Sequence, residues 1–346
     1  MSRRRIAGAC KRNLRSVESV GVNNGANEYR DVISPEATET VMTHVRIGFA
    51  SACLLLCGAS VPAQTNTVVV PPDGAELSGA LARTIGRLPR GGTIQLQAGT
   101  YTVTRPLDPA GVDNITLQGV GSQTVIQFGK GYFGSKDRWI MNVEDKHDHW
   151  TLRDFTFDGN NRSSPEVCDR DKIVKLRGDH FTVERVTVQN EAGRGFATIL
   201  GDDQRWLNCN FNNIGTHATD SSVVHPGNRD YHAKRVLVSG CMGDLGPHKV
   251  TFVDAVASDL VISNNVIRNG KTGVILSWWR GVPENAVISN NILLSAGRSC
   301  RVKKQKPGEF PSVIVTNNVL TGPLENQFGR GFVQSGNTLR APARRK

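Results

Sequence analysis

The sequence predicts an all-β fold: a right-handed, single-stranded parallel β-helix of roughly ten coils with an N-terminal capping helix. Three observations carry that expectation. The first is self-similarity. The segments LVISNNVIRNG, AVISNNILLSAG and VIVTNNVLTG begin at Leu260, Ala286 and Val313, and the second Asn of each pair, Asn265, Asn291 and Asn318, recurs after 26 and 27 residues. Earlier, more degenerate copies place Phe155, Val186, Asn210 and Cys241 in the same column, so the period runs from 24 to 31. The second is local pattern. Each unit holds two or three short runs of Val, Ile, Leu and Thr separated by Gly or Asn, with no helical period between them, and such strands can pair in parallel only if the chain coils. The third is composition: 36 Gly and only 6% aromatic residues suit short strands joined by tight turns.

Taken in chain order, residues 1–41 read as a mis-assigned or disordered leader, with Met42 as the true start. Residues 42–63 read as a secretory signal peptide. Arg46 lies in its basic region, the apolar run spans Ile47 to Leu56, and Val61-Pro62-Ala63 forms the cleavage site. That run is too short to span a bilayer, so the expectation is a secreted or periplasmic protein without a membrane span. Residues 64–92 form a linker and a helix from Glu76 to Leu88 that would close the open end of the rod, as solenoids require. Residues 93–339 form the coils, which at about 4.8 Å each make a rod of roughly 48 Å. Residues 340–346 are a basic tail.

The Asn column has a structural explanation: an Asn at a tight turn tolerates left-handed backbone, and stacked amides hydrogen-bond along the column. Four of the seven cysteines, Cys168, Cys209, Cys241 and Cys300, lie beyond the cleavage site and show no metal-binding spacing. Cys209 and Cys241 occupy near-equivalent points of nearby coils, which allows either a bridge or two buried thiols. The formal charge is +11, but the leader and the basic tail hold most of it and leave the body at about +4. A mild positive field of this kind suits an acidic polysaccharide as partner and gives no reason to expect nucleic acid.

At the entrance to the coils, GGTIQLQAGTYTV followed by NITLQGVGSQTVIQF resembles the start of the pectate-lyase-like (pectin-lyase fold) superfamily, a likeness that extends over nearly the whole mature chain. The resemblance implies a ligand groove along one sheet, walled by the longer loops. The matching strands are WIMNVED, DKIVKLRGD, GFATILGDD, KVTFVDA and GVILSWWRG, whose ends would gather Glu144, Lys175, Arg177, Asp202, Asp203, Lys249, Asp254, Trp278, Trp279 and Arg280.

Lys175 and Arg177 alternate with Val174 and Leu176, so both point out of their strand and can neutralise a substrate carboxylate. Of Trp278 and Trp279 one must face outward, where it can stack on a sugar ring while Arg280 pairs with a uronate. Asp202 and Asp203 suit either half of a hydrolase acid pair or a hard-cation site, calcium being the cation such carboxylates prefer. Gly215 to Asp254 interrupts the coil pattern and carries His217, His225, His232 and His248, among which His225 and His248, with Lys249, are candidates for proton transfer. Gly246-Pro247-His248-Lys249 resembles the Asp-Pro-His-Asp signature of alginate epimerases with both flanking acids missing, and the Gly-His-Gly and Arg-Ile-Lys motifs of polygalacturonases are absent.

The expected function is that of a monomeric polysaccharide lyase, cleaving a uronate-containing glycan by β-elimination. Lys175, Arg177, His225, His248, Lys249 and Asp254 would be the catalytic residues, and Trp278, Trp279 and Arg280 the substrate contacts. Two alternatives stand beside it. One is a glycoside hydrolase using two of Asp202, Asp203, Asp220 and Asp254; the other is a noncatalytic glycan-binding or envelope protein.

Overall fold

A short β-branched run leaves backbone N–H and C=O groups on both of its edges, and in this chain each run meets those needs with the runs one coil before and one coil after. The computed structural model describes residues 66–72, 76–107, 111–129, 141–142, 147–159, 172–191, 193–215, 221–228, 230–277, 283–303, 312–327 and 331–340. The leader and signal segment, Glu144, Cys168, His217, Asp220, Trp278, Trp279, Arg280 and the end of the basic tail lie outside the described residues.

The described strands fall into three parallel sheets. The first runs through eleven strands from Thr67–Val70 to Phe332–Ser335, and the second through ten from Gly99–Val103 to Thr338–Leu339. The third runs through eight: Met141–Asn142, Lys172–Arg177, Gly195–Leu200, Ser221–Pro226, Val250–Ala255, Thr272–Leu276, Arg298–Val302 and Leu324–Asn326. From Ile115–Gln118 to Leu324–Asn326 each coil contributes one strand to each sheet in turn, and equivalent residues stand in register from rung to rung.

The corners explain why Asn, Asp and Gly recur. Where the chain enters the first sheet, Asn114, His149, His180, Asp203, Arg235, Asp259 and Asn285 all have φ between 49° and 62°. Where it leaves that sheet, Asp154, Arg185, Asn208, Gly240, Asn264, Asn290, Asn317 and Gly336 have φ between 50° and 68°. This left-handed backbone costs an ordinary residue about 1 kcal/mol, and short polar side chains offset part of it with local hydrogen bonds.

The two residues of each Asn pair therefore divide the work. The first, Asn264, Asn290 or Asn317, takes the left-handed turn; the second, Asn265, Asn291 or Asn318, is buried and forms an amide ladder. Asn265 Nδ2 donates to Asn291 Oδ1 and Asn291 Nδ2 to Asn318 Oδ1, both at 2.9 Å, and each Oδ1 also caps the main-chain N–H of the preceding coil. One register expectation needs correcting. Asn210 pairs with Thr187 and Met242, so the inward column runs Phe155, Val186, Cys209, Cys241, Asn265. A slip of one residue moves a side chain to the opposite face.

Cys209 and Cys241 thus sit on adjacent rungs as buried free thiols, donating weakly to Leu207 O and Ser239 O. Around them the interior is filled by stacked aliphatics and by a chain of rings, Phe155, Phe157, Phe196, Phe211 and Phe252, with centroids 4.9 to 6.1 Å apart.

The helix spans Leu77–Ile85, shorter than expected. Glu76 lies just outside it as the N-cap, accepting from Ser78 N at 3.2 Å and Gly79 N at 3.0 Å. Leu77, Leu81 and Ile85 are buried, and the last two line a small apolar void with Ile94, Leu117 and Trp150.

Candidate functional site

The outer face of the third sheet brings three of the expected residues into one column. In Lys172–Arg177, Val174 and Leu176 are wholly buried, while Lys175 is half-buried and Arg177 exposed. Strand alternation therefore turns both cations outward, as the sequence pattern requires. Parallel register then fixes what stands beside them. Lys175 pairs with Asn142 on one side and Thr198 on the other, and Thr198 pairs with His225. The next rung follows from the Val224–Val253 pair, which sets His225 beside Asp254. Asp254 in turn pairs with Ile275, Ile275 with Arg301, and Arg301 with Glu325.

With about 4.8 Å between rungs, Lys175 and His225 lie roughly 10 Å apart and His225 and Asp254 roughly 5 Å apart at the backbone. Asp254 is oriented by Ser277, whose Oγ donates to Oδ1 at 2.7 Å. Thr198 and Ile275, nearly buried, hold the strip between them. At its far end Glu325 joins Arg301 and Arg298 in an ion-pair group, Arg301 Nε standing 3.3 Å from Oε1. The column thus presents, in order, a cation, a hydroxyl, an imidazole and a carboxylate, a set able to bind an acid group and move a proton beside it.

Other expected residues stand elsewhere. His248 and Lys249 precede Val250–Ala255, so Lys249 is about 16 Å along the strand from Asp254. His248 Nε2 lies 3.4 Å from Asn213 Oδ1, at the corner between the second and third sheets. Asp202 and Asp203 leave the third sheet altogether. They follow Gly201, where a Cβ would collide with the carbonyl of Gly178, and belong to the corner that opens the first sheet.

There the two carboxylates are already engaged. Asp202 Oδ1 accepts from Tyr231 Oη and from Lys234 N, both at 3.0 Å. Asp203 takes a bidentate contact from Arg235, at 2.6 and 2.9 Å, and stands 3.5 Å from His180 Nδ1. The Arg235 hydrogen bond holds the Asp203 carboxyl below its usual range. Burial, reinforced by the bond to Asp202, pushes the Tyr231 phenol up and keeps its proton in place. Asp202 and Asp203 thus lie off the outer face of the third sheet, with their carboxylates engaged by Tyr231, Lys234 and Arg235, and among the described residues no three His, Cys, Asp or Glu gather into a metal-holding group.

The stretch from Gly215 to Asp254 also differs from its expected reading as an interruption. It contributes Ser221–Pro226, Ala233–Ser239 and Met242–Asp244, one strand to each sheet. His225 is thus a rung residue. His232 lies instead against Ser258, its Nε2 2.8 Å from Oγ, and burial lowers its pKa. Thr198 and Ser277 escaped notice in the sequence; the signal for Thr198 was its position midway between Lys175 and His225 at intervals of 23 and 27 residues.

No family model and no curated protein sequence matches this chain. Solved structures do. An endo-xylogalacturonan hydrolase from Aspergillus tubingensis superposes with a TM-score of 0.55 at 11% identity, over 80% of this chain and 94% of that one. An alginate lyase from Paenibacillus sp. str. FPU-7 gives 0.56 at 14% identity, over 79% and 99%. A mutant tailspike protein of E. coli bacteriophage HK620, in complex with a hexasaccharide, gives 0.59 at 15% identity over 80% of this chain, which spans 55% of the tailspike. Likeness at such identities is likeness of fold. With three parallel sheets in register and these neighbours, the chain is a parallel β-helix of the pectin-lyase fold.

Proposed function

We propose that the protein is a secreted polysaccharide lyase, exported by residues 42–63 and cleaving a uronate-containing glycan by β-elimination on the outer face of the third sheet. The observation that carries this reading is the single register column of Lys175, Thr198, His225 and Asp254. Lys175 and Arg177 neutralise the uronate carboxylate, which acidifies the adjacent C–H. His225 accepts that proton, the C–H electron pair becomes the new carbon–carbon double bond in the ring, and the C–O bond to the leaving sugar breaks with its electrons staying on oxygen, which takes a proton from the imidazolium or from water. Asp254, fixed by Ser277, stabilises the imidazolium that results. Trp278, Trp279 and Arg280 follow Thr272–Leu276 and Ser277 in the chain and supply the sugar-stacking and carboxylate contacts. A stack of roughly ten coils closed by the Leu77–Ile85 helix provides the stiff support. The xylogalacturonan hydrolase and the alginate lyase among the structural neighbours are enzymes of polysaccharides, which supports a glycan as substrate.

The test is incubation of the mature protein with pectin, alginate, glucuronan and glycosaminoglycans while near-ultraviolet absorbance of unsaturated ends is followed. His225→Ala should cost 10²- to 10⁴-fold in rate. Absence of the unsaturated product across the panel, or an unchanged rate in His225→Ala, would overturn the proposal. Reducing ends without unsaturation would instead favour hydrolysis.

A further inference from the structure

A second polar surface lies around the corner from the third sheet, on the outer face of the first. A cleft of about 320 Å³ is lined by His149, Thr151, His180, Thr182, Asp203 and Arg205. These come from three consecutive rungs: Thr151 pairs with Thr182 and Thr182 with Arg205, each two residues beyond a left-handed corner residue, His149, His180 or Asp203. The two imidazoles stack nearly parallel, 6° apart with centroids 4.3 Å from each other.

Among the described residues the cleft's carboxylate is spent and its donors are not. Asp203 is held by Arg235 and faces His180. Arg205 acts on Asp203 through charge, without a hydrogen bond to it, and the Thr151 and Thr182 hydroxyls and the His149 ring nitrogens make no hydrogen bond among the described residues. Farther along the same outward column the residues turn apolar, Leu237, Val261, Val287, Ile314 and Val333, while in the other direction the column continues as Thr116, Thr93 and Thr67, so Arg205 ends a polar run and is its one cation.

We infer that this cleft is an accessory binding site for an oxyanion-bearing sugar unit, one carrying a carboxylate or a sulfate. Arg205 takes the oxyanion through its paired N–H groups, and Thr151, Thr182 and His149 take ring hydroxyls. The site would hold the polymer away from the column on the third sheet, so that a bound chain is kept near the groove between cleavage events. The glycan identity of the ligand rests on the acidic-polysaccharide reading; the oxyanion preference rests on the cleft itself.

The experiment follows the histidine ring signals of the mature His225→Ala protein by NMR during separate titrations with trigalacturonate, inorganic sulfate and galactotriose. The His225 substitution prevents turnover. The His149 and His180 signals should move saturably with trigalacturonate and more weakly with sulfate, and should stay still with galactotriose. Arg205→Glu and Arg205→Gln should each weaken the trigalacturonate response at least tenfold. Unmoved His149 and His180 signals, equal responses to galactotriose, or an undiminished response in both Arg205 variants would overturn the inference. The lyase proposal is judged separately, by unsaturated product from the unsubstituted protein, so either can fail without the other.

Discussion

Replacing Asn291 by Ala removes the middle link of the buried amide ladder, and its cost can be worked from the contacts. Asn291 Oδ1 accepts from Asn265 N at 3.0 Å and from Asn265 Nδ2 at 2.9 Å, while Asn291 Nδ2 donates to Ile262 O and Asn318 Oδ1, each at 2.9 Å. Some partners keep a second bond: Asn265 Nδ2 still reaches Val238 O, and Asn318 Oδ1 still accepts from the main-chain N of residue 291. The Asn265 main-chain N–H loses its side-chain acceptor in a site with no exposure. Such a buried donor left unmade costs about 1–3 kcal/mol, and the amide bonds lost on either side add about 1 kcal/mol each. Asn291→Ala should therefore destabilise by about 3–5 kcal/mol. Asn337→Ala is the internal control, because Asn337 is only partly buried and water can replace its bonds to Asn318. Equilibrium urea unfolding measures both, read as a shift of midpoint at constant slope. A cost for Asn291→Ala below about 1 kcal/mol, or no larger than that of Asn337→Ala, would refute the ladder as a stabilising element.

Three further outcomes follow from the same contacts. Burial raises the thiol pKa of Cys209 and pushes that of Cys300 up to about 12, so neither should react with a thiol reagent at pH 8 until the protein is unfolded; rapid labelling of the native protein would contradict this. Arg235 holds the Asp203 carboxyl below its ordinary value, so the stability it confers is present above the unfolded carboxylate pKa of about 3.9 and is lost as pH falls through the lower folded value. Arg235→Ala should accordingly lower Tm at neutral pH, with a gap from the parent that closes in acid and shrinks in high salt; a gap independent of pH would contradict the pairing. Gly201→Ala should destabilise by about 1–3 kcal/mol, because its Cβ would meet the Gly178 carbonyl where the third sheet passes into the first, and a Tm unchanged from the parent would argue against that crowding.

How much could be read from sequence depended on how loudly each coil repeats. The three Asn-Asn pairs mark one corner by residue type and gave the coil with its register. In WLNCNFNNIG four Asn compete for that position, and only the structure shows Asn208 turning the corner with Cys209 inside it. The run SSVVHP lacks an Asn-Asn marker, so the sequence pattern breaks where the rung Ser221–Pro226 is regular, and its β-branched centre is the one local sign of it. Lys175, Arg177 and Asp254 were legible because strand alternation alone decides which way they point. Asp202 and Asp203 were not, because Gly201 bends the chain into another sheet and nothing in the local pattern distinguishes that corner from a strand end.

The ladder also shows what this architecture measures and what it ignores. Successive links join residues 24, 26, 27 and 19 positions apart, yet the main-chain contacts remain between 2.8 and 3.0 Å. Alignment is thus enforced at the corners and along the strands, while the length of chain between them is free. A segment inserted between two corners would lengthen a loop without shifting any column by a residue. The stack is therefore a chassis on which the outward columns and the loops beside them can change independently, and a change of ligand would need new loops rather than a new frame.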